Sequence, residues 1–275
     1  MVIRRVTEPA AVGVQRQRMV FETLAFLTPF DLPDERKVRI GEPGDGSYVI
    51  VDRLHKSQPV MSFGVGPSIN FEIGMAERGH DVFMFDHTIA EPPAAHPRAI
   101  WFCEGVASVS NAPLRLFTLA EHMNKLPTGC EPPILKMDIE GDEWSVLGSA
   151  SPDLLARFDQ ITFELHGLHR IEDPAFNTIA RRVFEILAKD FKLCHVHANN
   201  FGAVRVLAGC FPIPEALELT YVKSSLVTRA PSRTIYPTEL DTPNFHHFPE
   251  LLLWYFPFLP GSDAINFAHQ ASERN

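Results

Sequence analysis

Short apolar runs recur along the middle of the chain, and each is followed by a polar or glycine-containing turn and then by a segment with helical spacing. The runs predict strands at 59–63, 81–85, 98–103, 133–137, 160–165 and 191–196. Helices fit between them at 69–79, 116–125, 142–149 and 173–189. Because apolar strands that alternate with helices are typical of a parallel sheet covered on both faces, the pattern predicts an α/β fold with a doubly wound, mostly parallel sheet.

The segments that flank these runs have different patterns. Apolar spacings of three and four predict an amphipathic helix at 14–27. The turn Gly44-Asp45-Gly46 predicts a β-hairpin between strands at 38–41 and 47–51. A longer segment at 217–227 alternates apolar and polar positions, which favours a partly exposed, antiparallel seventh strand.

The last part of the chain is rich in proline and aromatic residues, and we expect it to lie across the domain as a tail over 229–263. The chain length suits a single domain over 1–275. Its predicted parts are an N-terminal helix and hairpin (1–58), a cofactor-binding core (59–228) and a C-terminal tail (229–275).

Composition narrows the classes of partner. The formal charge of -9 disfavours nucleic acid, which proteins usually bind through a basic face. The apolar stretch at 251–259 is too short to cross a bilayer, which takes about 20 residues, so we expect no transmembrane segment. We interpret the stretch as part of the core or as the interface of a possible homodimer. No signal peptide is recognisable, and widely spaced cysteines favour reduced thiols in a cytoplasmic protein: Cys103, Cys130, Cys194 and Cys210.

A glycine bend and a single acid follow the first two core strands. Gly64 and Gly66 allow the backbone to turn sharply and to approach a ligand closely. Asp86 lies about 20 positions further on, where an acid can accept hydrogen bonds from two ribose hydroxyls. Together they predict a nucleoside cofactor, either a nicotinamide dinucleotide or S-adenosylmethionine. Ile69 stands where the dinucleotide fingerprint requires its third glycine, and this weakens the nicotinamide alternative.

An acidic cluster follows the fourth core strand. Asp138 and Glu140 precede the next helix, and Asp142 and Glu143 suit its first turn. Their mutual repulsion must be offset by a cation, a helix N-terminus or several hydrogen-bond donors. Asp138 and Glu140 are therefore candidates for a functional role.

Two further clusters of polar residues follow the fifth strand, with Glu164 and His166, and the sixth strand, with His197 and Asn200. We expect both clusters to lie on the same rim of the sheet as Asp138. Glu164 and His166 are candidates for taking a proton from a substrate, which makes Asp138, Glu164 and His166 the predicted catalytic group. A second hypothesis is a divalent cation, Mg²⁺, Mn²⁺ or Fe²⁺, held by Asp138, Glu164, His197 and Asn200. A structural role remains open, because such residues also satisfy backbone groups and form turns.

The segment KMDIEGDEW at 136–144 resembles the K-[IVM]-D-[IV]-E-G-x-E element of the FkbM-type class I methyltransferases. GDGSYV, SFGVG and FELHG resemble other landmarks of that group, and the resemblance covers about residues 38 to 228. It implies a seven-stranded sheet with an antiparallel last strand and S-adenosylmethionine as cofactor.

Carried over to this chain, the resemblance implies that Gly64 and Gly66 lie against the methionine part of the cofactor, that Asp86 binds the ribose and that Glu104 lies near the adenine. Ser62-Phe63 occupies the position where many class I enzymes carry an acid. The amino group of the cofactor would then bind Asp138, Glu140 or a backbone carbonyl.

The sequence thus predicts an S-adenosylmethionine-dependent methyltransferase that acts on an oxygen, or else a nitrogen, of a sugar, glycan precursor or small hydroxylated metabolite. Two alternatives remain at this stage. One is a nicotinamide-dependent oxidoreductase, and the other is a catalytically silent binding protein with the same fold.

Overall fold

The computed structural model describes residues 10–259, with the side chains of 13–259. Its helices, in chain order, are α1 (Ala10–Leu24), α2 (Asn70–Glu77), α3 (Leu119–Met123), α4 (Glu143–Ser149), α5 (Pro152–Leu155) and α6 (Pro174–Asp190). Its longer strands are β1 (Lys37–Ile40), β2 (Tyr48–Val51), β3 (Val60–Phe63), β4 (Val82–Phe85), β5 (Ala99–Phe102), β6 (Ile134–Met137), β7 (Gln160–His166), β8 (Phe191–Ala198), β9 (Val204–Leu207), β10 (Phe211–Pro214) and β11 (Ala216–Lys223).

Seven strands form the central sheet, in the order β8-β11-β7-β6-β3-β4-β5. Strand β11 is antiparallel to both of its neighbours, and the pairs from β7 to β5 are parallel. The strand order reverses between β3 and β6, and ligands of such sheets bind beyond the carboxyl ends of the strands at this point. The predicted mostly parallel seven-stranded α/β fold is confirmed.

The seventh strand differs from its prediction. It is shorter than 217–227, and all of its residues but the last are buried, so the expected partial exposure is wrong. The reason is its position in the sheet, because β11 lies between β7 and β8 rather than at an edge. Its polar positions are buried with partners: Thr220, for example, donates to the Val49 carbonyl at 2.6 Å.

Helix α6 shows how the sequence covers the sheet. Asp173 accepts a hydrogen bond from the backbone nitrogen of Phe176 at 2.9 Å, and Pro174 occupies the first helical position, so both features favour a helix start here. The buried residues recur at helical spacing and pack into the main core: Phe176, Ala180, Val183, Phe184 and Leu187.

The predicted hairpin is present as β1 and β2, which pair antiparallel. A second hairpin, β9 and β10, lies in a region for which the sequence predicted no element. No helix in the described residues is long and apolar enough to cross a membrane.

The described part of the tail runs across the β8 side of the molecule. Ala230–Pro231 pairs with Phe30–Asp31, and the Leu253 backbone nitrogen donates to the Tyr236 carbonyl. In the apolar stretch Leu253 is buried, whereas Trp254 is 57% exposed. The rest of the predicted tail lies outside the described residues, and the homodimer stays a prediction.

Candidate functional site

The bend after β3 packs directly on the loop after β6. Gly64 has a φ of +73°, and a Cβ added there would lie 1.5 Å from the backbone oxygen of Asp138. Only glycine allows this approach. By contrast, a Cβ added at Gly66 would meet no atom of the described residues within 4 Å, so the backbone there borders a space that they leave open.

Asp86 holds this bend from the end of β4. Its Oδ2 accepts hydrogen bonds from the backbone nitrogens of Val65 and Gly66, both at 3.1 Å. Its Oδ1 accepts the Thr88 backbone nitrogen at 2.7 Å and the Thr88 hydroxyl at 2.6 Å. Burial raises the pKa of Asp86, but these bonds outweigh it and lower the pKa below its ordinary value. With two bonds to each oxygen, the carboxylate as placed has no acceptor position left for ribose hydroxyls, contrary to the expectation for this residue.

The three segments singled out in the sequence meet in one cavity of about 460 Å³. It is lined by the glycine bend, by Asp86 and by the loop after β6, including Asp138 and Glu140. The structure therefore brings together the bend, the acid after the second core strand and the acidic cluster. We name this space the cofactor cavity.

Glu104 is not placed as the resemblance implied. Its carboxylate lies 3.1 Å from the Lys125 ammonium and 3.7 Å from the His122 ring, and it does not line the cofactor cavity. The wall at this strand end is formed instead by Gly105 and Val106. The side chain of Glu104 turns towards α3 because its cationic partner Lys125 lies just beyond that helix.

A buried polar network that the sequence did not indicate lies below the cofactor cavity. Lys136, 3% exposed, donates to the Gly64 carbonyl at 2.7 Å and lies 3.8 Å from Glu72 and 3.9 Å from Asp138. Ser62, in the position where an acid is usual, donates to Glu72, so α2 supplies the buried carboxylate here. Tyr48 donates to Asp138 Oδ2 at 2.9 Å.

Glu143 is a buried part of the site rather than an ordinary residue of the first helical turn. It is fully buried, and its Oε1 accepts the backbone nitrogens of Ile139 at 2.9 Å and Gly141 at 3.2 Å. These bonds fix the loop in which Glu140 adopts a φ of +57°. The same oxygen lies 3.2 Å from His166 Nδ1, so Glu143 also orients the imidazole.

His166 lies among three carboxylates. Its Nε2 is 3.7 Å from both Glu140 and Glu164, in addition to the contact of its Nδ1 with Glu143. Burial lowers the pKa of His166, but the Glu143 hydrogen bond and the Glu164 charge raise it to about 9. The imidazole is therefore a cation at neutral pH. We name the set Asp138, Glu140, Glu164 and His166 the open cluster.

Two carboxyl groups of the open cluster, those of Asp138 and Glu164, bind protons more strongly than usual. Burial raises the pKa of Asp138, and Lys136 only partly opposes this. Burial also raises the pKa of Glu164 well above its ordinary value, and the Asp138 charge adds to the effect. Each carboxylate is thereby a stronger base than an exposed one.

His197 and Asn200 do not join Asp138 and Glu164, so the structure does not bring the predicted metal ligands together. Glu164 pairs with Glu218 in the register of β7 and β11, and Glu218 pairs with His197 in the register of β11 and β8. His197 is therefore two strands from Glu164, roughly 10 Å in the plane of the sheet. Asn200 instead donates to tail carbonyls, including that of Phe245 at 3.0 Å.

Both ring nitrogens of His197 contact carboxylates. Nδ1 lies 2.9 Å from Glu218 and Nε2 lies 3.1 Å from Glu250 of the tail. Burial lowers the pKa of His197, but Glu218 and Glu250 raise it to about 10. Nearby, His195 lies 2.8 Å from Asp241. We name the set His195, His197, Glu218, Asp241 and Glu250 the closed cluster.

A second cavity of about 610 Å³ adjoins the first and shares Asp45, Asp138 and Glu140 with it. Glu164 and His166 line it on the sheet side, and the tail supplies Asn244 and Phe245. We name it the acceptor cavity. Within the described residues, two groups have spacings that suit a metal ion: Asp138, Glu140 and His166; and Asp45, Glu164 and Glu218.

Comparisons with known proteins leave the family open. The chain matches no protein-family model and no curated protein. Among solved structures it is similar to precorrin-6y C5,15-methyltransferase from Geobacter metallireducens GS-15, with a TM-score of 0.32 and 11% identity over 82% of this chain and 94% of that chain. A likeness of this size assigns no family or activity, and the FkbM-type resemblance stays a prediction.

Proposed function

We propose that this protein is an S-adenosylmethionine-dependent methyltransferase that acts on a hydroxyl group of a sugar-like or other small polyhydroxylated acceptor. The observation that supports the proposal is the meeting of the Gly64–Gly66 bend, Asp86 and Asp138 in one cavity at the switch point of the sheet. This cavity shares Asp45, Asp138 and Glu140 with a second one, so a cofactor and an acceptor would lie side by side, as a two-substrate transferase requires.

The cofactor cavity suits a nucleoside cofactor. Its volume of about 460 Å³ lies within the usual range for small-molecule sites, and the space beside Gly66 is open to a ligand. Because Asp86 is occupied by the glycine bend, ribose hydroxyls need other partners. His87 and Thr88 line the same cavity and offer an imidazole and a hydroxyl oxygen.

S-adenosylmethionine supplies a methyl group on a positively charged sulfur, and the acceptor oxygen must lose its proton as it attacks. Asp138, Asp45 and Glu140 line both cavities, and Asp138 is the least exposed of the three, so its carboxylate is the group best placed to take that proton. Its raised pKa makes it a stronger proton acceptor than an exposed aspartate. Tyr48, which donates to its Oδ2, and the His166 cation hold the carboxylate in place and limit repulsion from Glu140.

Isothermal titration with S-adenosylhomocysteine tests the cofactor, and NADH fluorescence tests the nicotinamide alternative. We expect saturable binding of S-adenosylhomocysteine and no change in NADH emission. A Gly66→Asp variant should lose S-adenosylhomocysteine binding, because it places a charged side chain in the open space beside the bend. Glu91→Gln, at an exposed position away from both cavities, is the control. No heat at high micromolar ligand would contradict the proposal, and NADH binding would favour the oxidoreductase.

A further inference from the structure

The acceptor cavity has a strongly one-sided charge. It is lined by the carboxylates of Asp45, Asp138, Glu140, Glu164 and Glu215. Within the part of the chain that the structure describes, no lysine or arginine lines it, and its basic groups are the imidazoles of His166 and His169. An acceptor that carries phosphate, sulfate or carboxylate would meet this charge with repulsion.

Two carboxylates that face each other across β7 and β11 differ in their partners. Glu218 lies 2.9 Å from the His197 imidazolium and accepts the Asn244 amide at 2.6 Å. Glu164 accepts one amide hydrogen bond, from Asn199 at 2.7 Å, and the nearest cation in the described residues, His166, is 3.7 Å away.

The second oxygen of Glu164 therefore has no hydrogen-bond donor in the described part of the chain, although the side chain is only 4% exposed and lines the cavity. A buried carboxylate is costly without a charged or donating partner. Asp45 adds further uncompensated negative charge, because its carboxylate lies within 4.8 Å of those of Glu164 and Glu218. A cationic donor from a ligand would supply what the chain does not.

An aromatic pair lies at the edge of the same cavity. Phe201 is 71% exposed and Phe245 is 36% exposed, and their ring centroids are 5.6 Å apart. The backbone of Phe245 is fixed on both sides, because its nitrogen donates to Asn200 at 2.9 Å and its carbonyl accepts from Asn200 at 3.0 Å. The pair offers a preformed apolar face, and aromatic faces attract cations and the C–H face of a sugar ring.

We propose that the acceptor is a sugar or polyol with a free amino group, whose ammonium binds Glu164 and whose ring face packs on Phe201 and Phe245. This inference rests on the proposed methyltransferase function. The methyl group forms its new bond to a hydroxyl oxygen of the acceptor, the carbon–sulfur bond of the donor breaks, and the hydroxyl proton passes to Asp138. The ammonium group serves for recognition and keeps its protons.

Three matched hexoses test the charge preference: glucosamine, glucose and glucuronate. Their binding is measured by saturation-transfer NMR with S-adenosylhomocysteine present. We expect glucosamine to bind at least about tenfold more tightly than glucose, as one hydrogen bond to a charged group provides, and glucuronate to bind most weakly. Glu164→Gln should lower the glucosamine affinity to that of glucose, whereas Glu91→Gln should behave as the wild type.

A Phe201→Ala variant provides a second measurement that does not depend on a buried position. The variant should weaken the binding of glucosamine and of glucose by the same factor, because both sugars present the same ring face to Phe201. Equal binding of glucosamine and glucose, tightest binding of glucuronate, or a preference that survives in Glu164→Gln would overturn the inference. If S-adenosylhomocysteine binds in any of these cases, the amino-sugar inference fails and the methyltransferase proposal stands. If glucosamine is preferred but S-adenosylhomocysteine does not bind, the methyltransferase proposal fails and the preference for an amino sugar stands.

Discussion

The open and closed clusters are built from the same residue types at neighbouring strand ends, yet they differ in how their charges are compensated. In the closed cluster, His197 lies between Glu218 and Glu250, and the tail supplies both Asp241 and Glu250 as partners of the two histidines. In the open cluster, one imidazolium faces several carboxylates, and Asn199 is the one hydrogen-bond donor to Glu164 among residues 10–259. Carboxylates and histidines at a sheet edge are thus candidates for a functional site where they line a cavity. The residues of the open cluster line the acceptor cavity, and those of the closed cluster line neither the acceptor nor the cofactor cavity.

The largest effect is expected on turnover when the open cluster loses its base. Asp138→Asn keeps the size of the side chain and an acceptor for the Tyr48 hydroxyl but cannot take a proton. We expect turnover to fall about 10²- to 10⁴-fold, as measured by transfer of a tritiated methyl group from S-adenosylmethionine to pooled amino sugars. Glu91→Gln should retain full turnover. Activity of Asp138→Asn within a few-fold of the wild type would show that another group takes the proton.

The second-largest effect is expected on the free energy of unfolding, which should respond differently to a substitution in each cluster. Glu218→Gln removes a partner of the buried His197 cation, and we expect a loss of about 3 kcal/mol in the free energy of unfolding in urea at pH 7. The pKa of His197 is raised from 6.5 to about 10 in the folded state. Its contribution is therefore fully present below pH 6.5 and is lost as the pH rises towards about 10. Equal stability of Glu218→Gln and wild type at pH 7 would contradict this account.

A Glu-to-Gln substitution at Glu164, which faces Glu218 across the sheet, should change the free energy of unfolding in the opposite direction. The pKa of Glu164 is raised above 4.5 by burial and by the Asp138 charge, so its ionised form opposes folding. Glu164→Gln should raise the free energy of unfolding at pH 7, because the amide carries no charge that burial penalises. The gain should grow as the pH rises above 4.5. A lower free energy of unfolding in Glu164→Gln would mean that the ionised Glu164 is already stabilised by another group of the protein.

A smaller effect concerns the titration of His166. Its pKa of about 9 depends on the hydrogen bond to Glu143, so Glu143→Gln should lower it by more than about one unit towards 6.5. NMR titration of the histidine ring signals measures this shift. His197 is the internal control, because its partners lie in the other cluster and its pKa should stay at about 10. An unchanged His166 pKa in the variant would exclude Glu143 as its orienting partner.

The smallest effect is expected at the aromatic edge of the acceptor cavity. Phe201 is 71% exposed, so Phe201→Ala should change the free energy of unfolding by less than about 0.5 kcal/mol. Glucosamine affinity should nevertheless fall about threefold, because the ring face is lost. A large loss of stability would show that Phe201 supports the fold rather than the ligand.

The sheet could be predicted from the sequence because each core strand is a short apolar run bounded by turns. Strand β4, for example, is Val82–Phe85 against a prediction of 81–85. The burial of β11 could not be predicted, because its alternation also suits an exposed strand and only its place between β7 and β8 decides the matter. The β9–β10 hairpin was missed because Pro212 and Pro214 argue against a strand, and they are tolerated here in a two-stranded sheet.

Part of the candidate site could also be predicted. Gly64, Asp86 and Asp138 follow strands that end at one edge, and this places them in one cavity. The pairing of His197 could not be predicted, because Glu218 lies on a strand inserted between β7 and β8 and Glu250 lies on the tail, 53 residues away in sequence. The role of Asp86 depended on backbone nitrogens that turn towards it only in the folded bend.

The described part of the tail, up to residue 259, forms one wall of the acceptor cavity without adding a strand to the seven-stranded sheet. Asn244 and Phe245 line the acceptor cavity but not the cofactor cavity, and the glycine bend and Asp86 line the cofactor cavity but not the acceptor cavity. In the proposed methyltransferase, such an arrangement separates two evolutionary tasks, since the choice of acceptor can change through a peripheral segment while the residues around the glycine bend stay the same.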